Sequence, residues 1–173
     1  MSAARAEFLG AMRRVANSVA IVTTDGACGR HGATVTSFCS VSADPPSLLV
    51  CLRGASRIAR AVTGNRAFCV NVLQAGATAL ADRFAGRGDP LDRFAGVRLI
   101  ADALPRLAEA AASFSCHLID TVDAGSHVIV VGHVADVRTV AEPPLAYLDG
   151  EYVAISRNPW PTDSGSNPCQ LSV

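Results

Sequence analysis

The chain has 173 residues, half of them hydrophobic and 17% charged, which suits one domain with a real core and excludes a disordered or tail-rich chain. Its formal net charge is zero and its pI about 6.9, so it lacks the basic stripe a nucleic-acid surface requires, while a neutral, apolar chain favours self-association. All fifteen basic side chains are arginine, which excludes Schiff-base chemistry, a lysine general base and a P-loop lysine.

Residues 3–16 place Phe8, Met12 and Val15 at helical spacing, with Leu9 widening the stripe, and predict an amphipathic helix. Glu7, Arg13 and Arg14 break any apolar run there, so the segment does not read as a signal peptide, and no stretch reaches the roughly 18 apolar residues of a membrane span. SVAIVTT (18–24) reads as a strand and is followed by the turn-rich DGACGRHG (25–32). GATVTSFCSVSADPP (32–46) then has strand character from its β-branched and aromatic residues, with Asp44-Pro45-Pro46 as its stop. In place of large aliphatics it carries five hydroxyls, on Thr34, Thr36, Ser37, Ser40 and Ser42. Either an edge strand turns these to water, or a ligand lies against the backbone where bulk is excluded.

SLLVCL (47–52) is an apolar run of strand length, RGASRIARAVTGN (53–65) a loop and short helix, and AFCVNVL (67–73) another strand. GATALADRFAG (76–86) reads as a helix with Leu80 and Phe84 on one face, and LPRLAEAAAS (104–113) as a turn with a short helical piece. SFSCHLIDTV (113–122) and SHVIVVGHVADV (126–137) are long strands joined by a turn, and LAYLDGEYVAI (145–155) is a hairpin around Asp149-Gly150. No internal repeat or domain linker is apparent, so residues 1–156 read as one domain and the Pro-, Ser-, Asn- and Gly-rich stretch 157–173 as an irregular tail. Strands outnumber helices and do not alternate with them, which favours an antiparallel barrel with a few helices at its edges.

The six cysteines, at 28, 39, 51, 69, 116 and 169, form no C-x-x-C pair and read as small buried hydrophobes of a reducing cytoplasm. His127 and His133 share strand parity but lie about 20 Å apart at about 3.3 Å per residue, so they cannot share a metal. His127 follows the turn Gly125-Ser126, where a side chain can enter a pocket mouth. The glycines of GACGRHG open a strand instead of a helix, which fails the dinucleotide fingerprint, and no G-x-S-x-G occurs. In RGASRIARAV, Ser56 suits a helix N-cap, and the same geometry with Arg57 or Arg60 suits an anion; a plain capped helix and a phosphate site stay equally open.

Together, GATVTSFCSVSADPPSLLVCL, the SR at a helix start, FCVNVL, RFAG and GSH resemble the flavin reductase-like family, the small NAD(P)H:flavin oxidoreductases of two-component flavin monooxygenases. Gly32 to Pro46 fits that family's G-x-T-[AV]-[NST]-[SA]-F-x-S-[VL]-[ST]-x-[DE]-P-P run, with Thr36 where Asn is common, and the resemblance spans roughly residues 7–155. It implies a mainly β fold, a Greek-key split β-barrel with short flanking helices, working as a homodimer with FAD or FMN near the subunit interface. NADH, or NADPH, would be the hydride donor and a flavin-dependent monooxygenase the recipient of reduced flavin. The resemblance would place Thr34, Val35, Thr36 and Ser37 along the isoalloxazine, with Ser40 and Val41 beside them. Cys51 and Leu52 would lie near the flavin tail, and Ser56 and Arg57 at its phosphate. Asn71, Arg83 and Phe84 would be further flavin-lining residues, His127 would face the nicotinamide, and Tyr152 would lie by the cofactors. Two alternatives share the resemblance: a flavin- or heme-binding split barrel that turns nothing over, and a reductase whose bound flavin feeds a corrinoid or iron acceptor.

Overall fold

A computed structural model describes residues 3–87 and 92–155. In chain order its elements are α1 (Ala3–Arg13), β1 (Asn17–Ser18), β2 (Ala20–Thr24), β3 (His31–Val35), β4 (Phe38–Ala43), β5 (Pro46–Arg53), α2 (Arg57–Asn65), β6 (Ala67–Leu73), α3 (Thr78–Phe84), β7 (Leu99–Ile100), β8 (Arg106–Leu107), β9 (Ala110–Ala124), β10 (His127–Thr139), β11 (Leu145–Leu148) and β12 (Glu151–Ala154). β2 is buried at every position, so it needs cover on both faces. It has both: Ala20 and Val22 enter one core cluster, and Ile21, with the preceding Val19, enters a second.

Seven strands pair antiparallel in the order β3-β2-β6-β9-β10-β5-β4, and β1, β11 and β12 form a small second sheet. The hydroxyl-rich run is two strands, not one. β3 stops at Val35, β4 starts at Phe38, and they lie at opposite edges of the large sheet. Thr36 and Ser37 form the corner between them, and the Cys51 amide of β5 donates to the Ser37 carbonyl at 2.9 Å to fix it. The sheet therefore curls without a ladder between β3 and β4, which makes the fold a split barrel.

One end of the barrel is filled by α2, whose Ile58, Ala59 and Val62 enter the first cluster beside Phe68, Val70 and Val130. Gly132 makes room for this core: a Cβ there would sit 2.5 Å from Phe68 Cζ and 2.9 Å from Cys116 Cβ. α3 covers the other face of β2, with Ala81 and Phe84 in the second cluster together with Leu73, Leu107 and Leu145. The β11–β12 hairpin turns at Asp149 and Gly150 with φ of 51° and 92°, the left-handed pair that suits a two-residue turn.

Three further expectations differ. LPRLAEAAAS is β8 and the start of β9, not helix; Ala110 and Ala112 stand opposite Leu73 and Val72, and ladder bonds with burial outweigh alanine's helix preference of a few tenths of a kcal/mol. Cys69 and Cys116 are buried, which pushes their thiols up to about 11 and about 12, but Cys51 is half-buried and Cys28 and Cys39 are exposed, Cys39 because β4 is an edge strand. Asp-Arg-Phe-Ala-Gly occurs twice, at 82–86 and 92–96, so the chain does carry a short repeat. The tail expected over 157–173 lies outside the described residues, and no described helix is long and apolar enough to cross a membrane.

Asn71 joins the strands on the second face. Its amide nitrogen donates to the Ile21 carbonyl at 3.2 Å and the Thr23 hydroxyl at 3.1 Å, and its oxygen accepts from Leu107 N at 2.9 Å and the Ser113 hydroxyl at 3.2 Å. It has no exposed surface, so its loss leaves several buried polar groups unpaired. Asn71→Ala is expected to lower unfolding free energy by about 2–4 kcal/mol, read from the urea midpoint.

Candidate functional site

β3 is an edge strand, so alternate backbone N–H and C=O groups face outward without a ladder partner. Two concave regions lie along it. Thr34, Val35 and Thr36 line an open cleft of about 150 Å³ with Tyr147, Tyr152 and Arg87. His31, Gly32 and Ala33 line a cavity of about 490 Å³ with Arg30, Ser56, Arg57 and Arg93. One strand thus runs from an aromatic cleft into a cationic cavity.

The cationic cavity is built by α2. Ser56 caps the helix, its Oγ accepting from Ala59 N at 3.2 Å and donating to the Arg53 carbonyl at 2.6 Å. The capped N-terminus and Arg57 give the cavity N–H donors and positive charge. Arg93 reaches in from the second Asp-Arg-Phe-Ala-Gly copy, Nη1 donating to the Gly32 carbonyl at 3.3 Å and the Phe84 carbonyl at 3.0 Å. Arg30 stands 5.8 Å over the Phe94 ring and pairs with Asp25 at 2.7 Å.

The aromatic cleft is built by the small sheet and α3. Tyr147 and Tyr152 pair across β11 and β12, ring centroids 5.4 Å apart at 65°. The Tyr152 hydroxyl donates to Asp82 Oδ1 at 2.8 Å. Arg87 Nη1 pairs with the same oxygen at 3.1 Å, and its pKa is raised, first by hydrogen bonding with Tyr147 and then by the Asp82 charge. The Thr34 hydroxyl donates to the Ala81 carbonyl at 2.6 Å, so its proton holds α3 against β3 and is not free for a ligand.

Of the expected site residues, Thr34, Val35, Thr36 and Tyr152 come together in the cleft, and Ser56 and Arg57 in the adjoining cavity. Ser37 is exposed at the corner. His127 is exposed at the start of β10, its Nδ1 2.9 Å from Ser126 Oγ; it pairs with Arg53, two residues along β5 from the Cys51 that holds Ser37. Arg83 is exposed and donates to the Ala95 carbonyl at 2.8 Å. The other six expected residues stand elsewhere in the fold. Asn71, Phe84 and Leu52 are buried at 0%, 1% and 2% exposure, because inward strand and helix positions send them into the core. Cys51 spends its amide on Ser37. Ser40 and Val41 line a separate apolar groove with Phe38, Phe114 and Val137, because the corner carries β4 to the far edge of the sheet. Sequence reasoning missed Arg30, His31, Arg87, Arg93 and Tyr147; only the repeated pentapeptide signalled Arg93.

Burial, followed by the hydrogen bond to Asp82, pushes the Tyr152 phenol from 10.0 up to about 12. A raised folded-state pKa stabilises fully below the unfolded value, so this contribution is complete below pH 10 and fades as pH rises towards about 12. Ultraviolet titration is expected to show a late-ionising phenolate that Tyr152→Phe removes.

The flavin reductase like domain model matches residues 12–156. The chain is 40% identical over 158 residues to the FMN reductase (NADH) RutF of Variovorax paradoxus (strain S110), covering 90% of this chain and 88% of that one. Among solved structures, the NADH:FAD oxidoreductase SgcE6 of Streptomyces globisporus C-1027, in complex with NAD and FAD fragments, superposes with a TM-score of 0.83 at 26% identity, covering 90% of this chain and 94% of that one. BorF, the flavin reductase component of a bacterial two-component tryptophan halogenase, superposes with a TM-score of 0.80 at 30% identity, covering 89% and 99%.

Proposed function

We propose, since this chain belongs to the flavin reductase like domain family, that it is an NADH:flavin oxidoreductase that reduces FMN or FAD and supplies reduced flavin to a partner flavin-dependent monooxygenase. The observation that carries this reading is the continuity along β3 of an aromatic cleft and a cationic cavity. A flavin has that same division, a flat ring joined to a phosphate-bearing tail. Thr36 and the outward backbone of β3 would take the polar edge of the ring, and Tyr147 and Tyr152 would flank it. The N-terminus of α2, Arg57 and Arg93 would hold the phosphate.

When bound, the flavin supplies the N5 atom that accepts hydride. The chain's residues supply position and charge. Arg87 puts a positive charge at the ring cleft, which favours the added electron density of a reduced ring. His127 orients the nicotinamide from the mouth of the 53–56 loop, where Gly54 N donates to the Ser126 carbonyl at 3.0 Å. Neither residue needs to move a proton in the hydride step. The cleft is open, which suits a flavin that exchanges with a partner. The name of the Variovorax paradoxus relative supports FMN and NADH; the FAD fragments bound to SgcE6 keep FAD beside FMN, and NADPH remains a weaker second donor. A homodimer would cover the exposed stripe of Phe8, Leu9 and Met12 on α1, which has no buried residue, together with the exposed Val15 just beyond it. Free thiols at all five described cysteines suit the cytoplasm, and residues 1–156 would form the working domain.

Purified protein is expected to oxidise NADH only with added or bound flavin, followed as loss of NADH absorbance in a cross of NADH and NADPH with FMN and FAD; oxidation that does not depend on flavin would refute the assignment. His127→Ala is expected to raise the KM for NADH by about tenfold or more, one charge-free contact plus its ordering, and to leave the Kd for flavin within twofold. Arg57→Ala is expected to weaken FMN by roughly 10- to 100-fold, the worth of a charge-assisted hydrogen bond, while riboflavin, which has no phosphate, binds as before; equal loss of both ligands would contradict the phosphate role.

A further inference from the structure

Adjacent residues of α3 grip the two walls of the aromatic cleft. The Ala81 carbonyl accepts from the Thr34 hydroxyl on one wall, and the Asp82 carboxylate accepts from the Tyr152 hydroxyl on the other. Arg87, which also lines the cleft, shares Asp82 Oδ1. Asp82 itself does not line the cleft, and its side chain is 39% exposed. Neither core packing nor direct ligand contact accounts for a carboxylate with two partners that both face the cleft.

Resting on the flavin reading above, we infer that Asp82 is a positioning residue, which fixes Tyr152 as the aromatic wall and Arg87 as the cation of the ring cleft. A carboxylate suits both tasks. One oxygen accepts a phenol proton and meets a guanidinium, so the ring and the charge are placed relative to each other and not only to the backbone. With Asp82 removed, Arg87 keeps its hydrogen bonding with Tyr147 but loses its ion pair, and Tyr152 loses its hydroxyl partner while keeping its ring contact with Tyr147 and its packing on the second core cluster. The pull is specific to the ring end of the ligand, because the cationic cavity around Ser56 and Arg57 shares no residue with this network.

The test is a flavin-binding cycle on the full chain with Asp82→Ala, Asp82→Asn, Tyr152→Phe and the Asp82→Ala/Tyr152→Phe pair, using riboflavin and FMN as probes. Asp82→Ala is expected to raise the Kd of both flavins by a similar factor, roughly tenfold for one charge-assisted hydrogen bond, with the KM for NADH unchanged. Asp82→Asn, which keeps an acceptor for the phenol but not the charge, recovers part of the loss. The double variant binds flavin no more weakly than Asp82→Ala, because both changes break one link. A second readout needs no flavin: Asp82→Ala brings the Tyr152 phenol down from about 12, since the carboxylate's hydrogen bond and charge help to raise it. Should Asp82→Ala fold poorly, the Asp82→Asn and Tyr152→Phe pair completes the cycle. Wild-type Kd values for both flavins in Asp82→Ala, or losses that multiply fully in the double variant, overturn the proposal while leaving the flavin reading intact. A wild-type protein that binds neither flavin overturns both.

Discussion

The molecule is organised by a corner. Between Val35 and Phe38 the chain leaves one edge of a seven-stranded sheet and enters the other, and the hydrogen bond from Cys51 N to the Ser37 carbonyl holds the crossing. Because of the corner, β3 remains an unpaired edge, and an unpaired edge is what a planar ligand with polar atoms on its rim can use. The same crossing puts β4 on the far side, where Phe38 and Val41 face an unrelated groove.

The two core clusters explain why the candidate site keeps its shape. β2 is shared between them, so helix α2 on one side and helix α3 on the other are referred to a common strand. Asn71 adds polar specificity at the centre: its four partners lie on three strands, two on β2 and one each on β8 and β9. A register slip in any of these would strand a buried donor or acceptor, which costs more than the bond itself contributes.

Much of this could be read in advance. Period-two and continuous apolar runs located most of the large-sheet strands, the Ser56 cap located α2, and Asp149-Gly150 located the terminal hairpin. The two concave regions along β3 were half legible: Thr34 to Thr36, Ser56, Arg57 and Tyr152 line them, and each stands in a local motif. Asn71, Phe84 and Leu52 lie in the core, and motif membership does not reveal which way a strand or helix position faces. LPRLAEAAAS was misread because a strand made of alanine carries no hydrophobic signal of its own; its identity comes from its neighbour β6. Arg30, Arg87 and Tyr147 were invisible because what they share is proximity, not spacing.

The twin pentapeptides show how far context governs. Asp82-Arg83-Phe84 finishes a helix, while Arg93 to Gly96 form a turn, yet both copies end on a left-handed glycine, with φ of 84° and 70°. Their phenylalanines meet edge to face at 5.0 Å, and each arginine bonds a carbonyl in the other copy. One guanidinium ends up outside and the other at the cavity wall, with identical flanks on both. Nature has thus supplied a matched control inside a single polypeptide: what separates Arg83 from Arg93 is address alone.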